Sequence, residues 1–173
     1  MQTLFRHINH GQVYRRILWP TDFSALANGA LPHALWMAEQ HAADLVILHV
    51  LTPAEADISP GITGRIWDRL DQECRERVEY QLDLLARQLQ RPDLKIQTIL
   101  GHGMAFEEIL RVAKSLACDL IVLATHGRTG VPRVLLGSVA EQVVRRSSCP
   151  VLLIRSARAV LREAAGAAIG QGN

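Results

Sequence analysis

The tightest constraint on this chain is a run of seven residues, Leu45-Val-Ile-Leu-His-Val-Leu51, with one polar side chain among them. A strand this apolar has no face to give to water, so both of its faces must be covered. Asp119-Leu-Ile-Val-Leu-Ala124 repeats the pattern. Shorter runs at Arg16–Pro20, Leu94–Leu100 and Pro150–Ile154 read as three more strands, the first stopped by its proline. Between them the apolar period lengthens. Ser24 starts a helix with Leu26, Ala30, Ala34 and Ala38 at helical spacing. After a loop from Pro53 to Pro60, Ile62–Gln90 reads as a long amphipathic helix, with Ile62, Ile66, Leu70, Cys74, Val78, Leu82, Leu85 and Leu89 on one face. Gln90-Arg-Pro-Asp93 ends it. Met104–Leu116 is a third helix with Phe106, Ile109, Leu110 and Ala113 inward, and Ser138–Arg146 a fourth.

The order β-α-β-α-β-α-β-α-β predicts an α/β fold, a doubly wound parallel sheet with helices on both faces. A chain of 173 residues has room for one such domain, and 49% apolar with 21% charged residues is globular composition. A net charge of +2 provides no footprint for nucleic acid or an anionic membrane. The longest apolar runs fall far short of a membrane span. Residues 1–16 contain neither a continuous apolar core nor a small-residue cleavage site. Cys74, Cys118 and Cys149 are odd in number and lack CxxC spacing, which fits reduced, structural thiols and a cytoplasmic location.

Ligands of such sheets bind beyond the carboxyl ends of the strands, which directs attention to Pro20-Thr21-Asp22 and to the segment from Ala124 to Ser138. In the latter, Gly127, Gly130 and Gly137 permit close backbone approach. Gly137-Ser138 opens a helix, where free N–H groups suit a phosphate, and Arg128 and Arg133 could add charge-assisted contacts. Ser138-Val-Ala-Glu141 is equally a capping box that satisfies the helix's own N–H groups. Asp22 has the same two readings: a carboxylate for an adenine amino group or ribose hydroxyls, or a cap, with Ser24, for the following helix.

Catalytic signatures are missing. The seven histidines form no metal set: His7 and His10 are incidental, His49 is a satisfied core residue, and His126 could contact a ligand. There is no Walker loop and no GxSxG elbow. Gly101-His-Gly103-Met-Ala-Phe106 begins a dinucleotide fingerprint but has phenylalanine for the third glycine, at the wrong strand. No nucleophile is accompanied by a base, so no catalytic and no metal-ligating residue is assigned. The pattern suits binding better than turnover. A receiver domain would need an acidic pair after strand one and an aspartate ending strand three, where this chain has Asp22 and Gly101.

Ile17-Leu-Trp-Pro-Thr-Asp-Phe-Ser24 resembles the opening strand and loop of universal stress proteins. Ala124-Thr-His-Gly127, nine residues, then Gly137-Ser138 resembles that family's ATP-binding signature, with Ala124 where the first glycine stands. Residues 14–155 carry the resemblance, leaving residues 1–13 as an N-terminal arm and 156–173 as an alanine-rich tail. The resemblance implies a five-stranded sheet in the order 3-2-1-4-5, a homodimer through the last strand, and bound ATP, with magnesium left open. It places Pro20, Thr21, Asp22 and Val50 around the adenosine, and His126, Gly127, Arg128, Gly137, Ser138 and Val139 along the phosphates. Ala124 lines the same site. It ends a strand, so ordinary β angles and a tolerated substitution are expected there. The implied function is a stress-response sensor or regulator; the alternatives are a slow ATPase and a dimeric scaffold that binds no nucleotide.

Overall fold

The computed structural model describes residues 13–52, 64–125 and 136–155, with the backbone alone at 64–71. Five strands, β1 (Arg16–Pro20), β2 (Asp44–Leu51), β3 (Ile96–His102), β4 (Leu120–Ala124) and β5 (Val151–Ile154), form one parallel sheet in the order β3-β2-β1-β4-β5. The expected fold class and strand order are therefore those observed. The helices are α1 (Ala25–Asn28), α2 (Leu31–His41), α3 (Gly64–Leu89), α4 (Ala105–Ser115) and α5 (Ser138–Arg146).

Side-chain alternation along the strands divides the core in two. Ile17, Trp19, Leu45, Ile47, Leu51, Leu120 and Val122 face α2 and α3, packing on Ala30, Ala34, Ala38, Val78 and Leu82. Leu18, Val46, Leu48, Val50, Ile121 and Leu123 face α4 and α5, packing on Ile109, Val112, Ala113, Ala140 and Val143. The central strands are buried along almost their whole length. This is why they read as unbroken apolar runs.

Two expectations change, and a third reading, that the Gly101 motif is no dinucleotide fingerprint, agrees with the structure. The helix beginning at Ser24 is two helices, α1 and α2, because Pro32 lies at the start of α2 and has no N–H to continue the ladder from α1. Strand β3 begins at Ile96, not Leu94, since Leu94 closes a bridge with Arg91 ahead of the sheet. Gly101 belongs to no dinucleotide turn. It pairs with Val50 inside the sheet, and a β-carbon there would meet the Glu108 carboxylate at 2.9 Å, so a larger residue would push that side chain aside.

Candidate functional site

The carboxyl ends of β1, β2 and β4 open onto a cavity of about 240 Å³, slightly below the roughly 300–1,000 Å³ usual for small-molecule sites. Its apolar wall is Leu48, Val50, Ile109 and Leu123, all from the α4/α5 side of the sheet. Its polar rim is Thr21, Asp22, Thr52 and Thr125, each one or two residues beyond a strand end. The start of α5, from Gly137 to Ala140, closes the far side.

Each strand places its residues by register. Pro20 ends β1 opposite Leu48 of β2, and Thr21 extends the pairing by donating its N–H to the Leu48 carbonyl at 2.8 Å. The chain then turns. The Thr21 hydroxyl accepts from the Phe23 N–H at 3.0 Å, Asp22 Oδ1 accepts from the Ser24 N–H at 2.9 Å, and Ser24 Oγ accepts from the Ala27 N–H at 3.0 Å. These are side-chain turns of the kind that hydroxyl and carboxylate residues form with nearby backbone. Ser24 therefore caps α1, and Asp22 orders the turn ahead of it while its residue lines the cavity.

The second wall comes from β4. Thr125 donates to the Ile154 carbonyl at 3.0 Å, and its own carbonyl accepts from Gly137 N–H at 2.7 Å. The excursion between Thr125 and Gly137 is thus tied at its base. That tie corrects the capping box. Gly137, held extended at φ −67° and ψ 150°, is the cap residue; Ser138 is the first helical residue, and among the described residues no side chain bonds the cap position. Glu141 pairs instead with Arg145 at 3.3 Å.

Of the helices that start at this end of the sheet, α1, α4 and α5 border the cavity, and among these α5 suits an anion best. The first turn of α1 is satisfied by Ser24. That of α4 carries two carboxylates, Glu107 and Glu108, against one in α5; Arg111 grips Glu108 through two hydrogen bonds and holds its carboxyl below the ordinary range. Among the described residues no side chain caps the first turn of α5, and its carboxylate is turned onto an arginine. Its N–H groups and the positive end of its dipole face the cavity rim.

Of the residues singled out in the sequence, Pro20, Thr21, Asp22, Val50, Ala124, Gly137, Ser138 and Val139 line this one cavity. His126, Gly127 and Arg128 lie outside the described residues. Among the described non-glycine residues, positive φ occurs at Phe23, Ala42 and Ala117, so Ala124 has ordinary strand angles and its methyl group brings no backbone strain. Sequence reasoning missed Ala27, Leu48, Thr52, Ala105, Ile109, Leu123 and Ala140, and took in Thr125 only as part of the Ala124–Ser138 segment. Applying the strand-end rule to β2 would have found Thr52; the α4 residues follow only from packing. All three cysteines are free, and burial pushes the Cys118 thiol up to about 11, against the pull of Arg16. Among the described residues no group of three or more His, Cys, Asp or Glu could hold a metal, and no helix is long and apolar enough to cross a membrane.

The family model "Universal stress protein family" matches residues 13–155. Universal stress protein MJ0531 of Methanocaldococcus jannaschii is 32% identical over 150 residues, covering 85% of this chain and 85% of the relative. The solved structure of MJ0577 from the same organism superposes with a TM-score of 0.73 at 30% identity, covering 83% of this chain and 96% of that one. A universal stress protein solved in complex with cAMP superposes at 0.54 with 25% identity, covering 82% and 97%.

Proposed function

This chain belongs to the universal stress protein family, and on that premise we propose that it is a stress-response regulator whose cavity holds an adenine nucleotide, ATP foremost. The observation that carries the reading is a coincidence of two unlike features in one cavity: Asp22 at the tip of β1, and the N-terminal first turn of α5. A nucleotide needs both. Its base requires apolar walls, which Leu48, Val50, Ile109 and Leu123 offer. Its amino group and sugar hydroxyls require acceptors, which Asp22 and the rim threonines supply. Its phosphates require N–H groups and a positive dipole, which α5 supplies. The cAMP complex of a relative supports adenine nucleotides as the ligand class.

In this reading Pro20, Thr21, Asp22 and Val50 surround the adenosine. Ala124, His126, Gly127, Arg128, Gly137, Ser138 and Val139 follow the phosphates. Magnesium would enter on the phosphate oxygens. Micromolar affinity corresponds to about 8 kcal/mol, within reach of one buried base and several N–H contacts. The nucleotide acts as a signal, biasing a partner interaction or the dimer. Strand β5 is an edge strand whose four residues are all only half-buried, and pairing with a second copy would cover it. The protein works in the cytoplasm.

Calorimetric titration of nucleotide-stripped protein with Mg-ATP tests the reading. One site per chain is expected. Absence of heat from folded protein, over several temperatures, would reduce the α5 terminus to an ordinary helix start and favour the scaffold alternative. Steady phosphate release abolished by Gly137→Val would favour the slow ATPase.

A further inference from the structure

Behind the cavity, on the opposite face of the sheet, lies a pair of rings that no part of the binding argument uses. His49 sits in β2 with 1% of its surface exposed, on the α2/α3 side with its alternating neighbours Ile47 and Leu51. Its Nδ1 lies 2.8 Å from the Thr21 carbonyl oxygen. A carbonyl accepts and does not donate, so Nδ1 carries a proton and donates it. Phe23 stacks on the imidazole at 4.6 Å between centroids and 21° between planes.

Phe23 is also the one member of the turn in left-handed backbone, at φ 59°. A bulky side chain is rare there, and glycine or asparagine would adopt the angle with less strain. Such a conformation persists only where its surroundings over-determine it. Here three contacts do so: the Thr21 hydroxyl on the Phe23 N–H, the imidazole under the ring, and the imidazole's own bond to Thr21. The two residues clamped this way, Thr21 and Phe23, are the neighbours of Asp22 on either side.

We propose that His49 and Phe23 are positioning residues that act through Thr21 to set the turn presenting Asp22 to the cavity. The inference rests on the nucleotide reading for its functional consequence, but its structural content stands apart from it. His49 touches no ligand in this account. It fixes the carbonyl before Asp22, Phe23 fixes the backbone after it, and the carboxylate between them has one oxygen already committed to the Ser24 N–H. The orientation of Asp22 is thereby prepared before any ligand arrives, which spares binding the cost of ordering it.

The test compares His49→Asn, whose amide places a donor near the position of Nδ1, with His49→Leu, which has similar bulk and no donor. Amide hydrogen exchange in the full chain reads the turn directly, and Mg-ATP titration reads its consequence. In His49→Leu the Phe23 and Ser24 amides are expected to exchange about tenfold faster, while those of Ile47 and Leu48 stay protected. Mg-ATP affinity is expected to fall about tenfold in parallel. His49→Asn should keep both within about threefold of the parent. Phe23→Gly, which removes the ring and accepts the backbone angle, should loosen the Ser24 amide as His49→Leu does. Unchanged Phe23 and Ser24 exchange in His49→Leu would overturn the proposal. So would equal loosening by asparagine and leucine, which would reduce His49 to core filling. If the exchange pattern holds in a protein that takes up no Mg-ATP, the positioning role stands and the nucleotide reading falls.

Discussion

The two ends of the sheet are built on opposite principles. At the amino end the charges are spent within the chain. The Asp119 carboxylate accepts from the Arg15 and Arg16 N–H groups at 2.8 and 3.2 Å. The Arg16 guanidinium reaches the Leu116 carbonyl and, at 3.3 Å, Asp44, which Lys95 approaches at 3.6 Å. The starts of β1, β2 and β4 are laced together in this way, and Lys95, just ahead of β3, is drawn in. At the carboxyl end the strand tips diverge around a cavity, and the polar side chains there order turns and line a rim. The difference follows from parallel topology. The carboxyl ends lead into helix N-termini, whose N–H groups and dipoles invite a ligand, while the amino ends follow helix C-termini and pair their charges with one another and with a carbonyl such as that of Leu116. Substitutions at the amino end should therefore cost stability, and those at the carboxyl end should cost binding.

The largest effect that would sharpen this contrast is at Gly137. Its extended angles suit any side chain, so Gly137→Val should fold normally, cover the first turn of α5, and weaken Mg-ATP binding by about a hundredfold in calorimetry. Next is Asp119→Ala at the amino end. It removes the acceptor of two backbone N–H groups, one exposed and one half-buried, and chemical denaturation should show a loss of about 1 kcal/mol with nucleotide affinity unchanged; altered affinity would break the division of labour. Arg16→Met keeps the apolar stem and loses the ion pair and the carbonyl bond. For a pair about one-third exposed, a loss of about 1 kcal/mol is expected. The smallest effect concerns Glu108. Its folded-state carboxyl is held low chiefly by the hydrogen bond from Arg111, so its contribution is present above the ordinary carboxylate range and lost as pH falls through the folded value. Thermal midpoints of Glu108→Gln should lie slightly below the parent at neutral pH and converge with it in acid.

How much of this was legible in the sequence depended on how local the cause was. Strands β2 and β4 announce themselves because burial on both faces leaves no polar positions. Strand β3 is an edge strand, with Gln97 and Thr98 exposed, and its start is blurred for that reason. Pro32 marks the break between α1 and α2, yet the alanine spacing across it carried the reading through. The capping box at Ser138 and Glu141 matches the pattern and fails in fact, since a hydrogen bond from Gly137 to Thr125, across twelve positions of sequence, sets the helix start. Asp22 was found because strand ends are where such sheets bind. The tie between His49 and Thr21 spans 28 positions and exists only once β1 and β2 have paired. His49 reads correctly as a satisfied core residue, but what it satisfies is a tertiary fact.

Asp22→Ala and Asp119→Ala, measured side by side for Mg-ATP affinity by calorimetry and for unfolding free energy by denaturant, set the two ends of the sheet against each other. Both remove one aspartate carboxylate that accepts backbone N–H bonds, one at each end of the same sheet. The account predicts a crossed result: Asp22→Ala loses about tenfold or more in affinity with a small change in stability, and Asp119→Ala loses stability with affinity intact. Equal affinities for parent and Asp22→Ala would contradict it and move any nucleotide site away from the carboxyl end of β1.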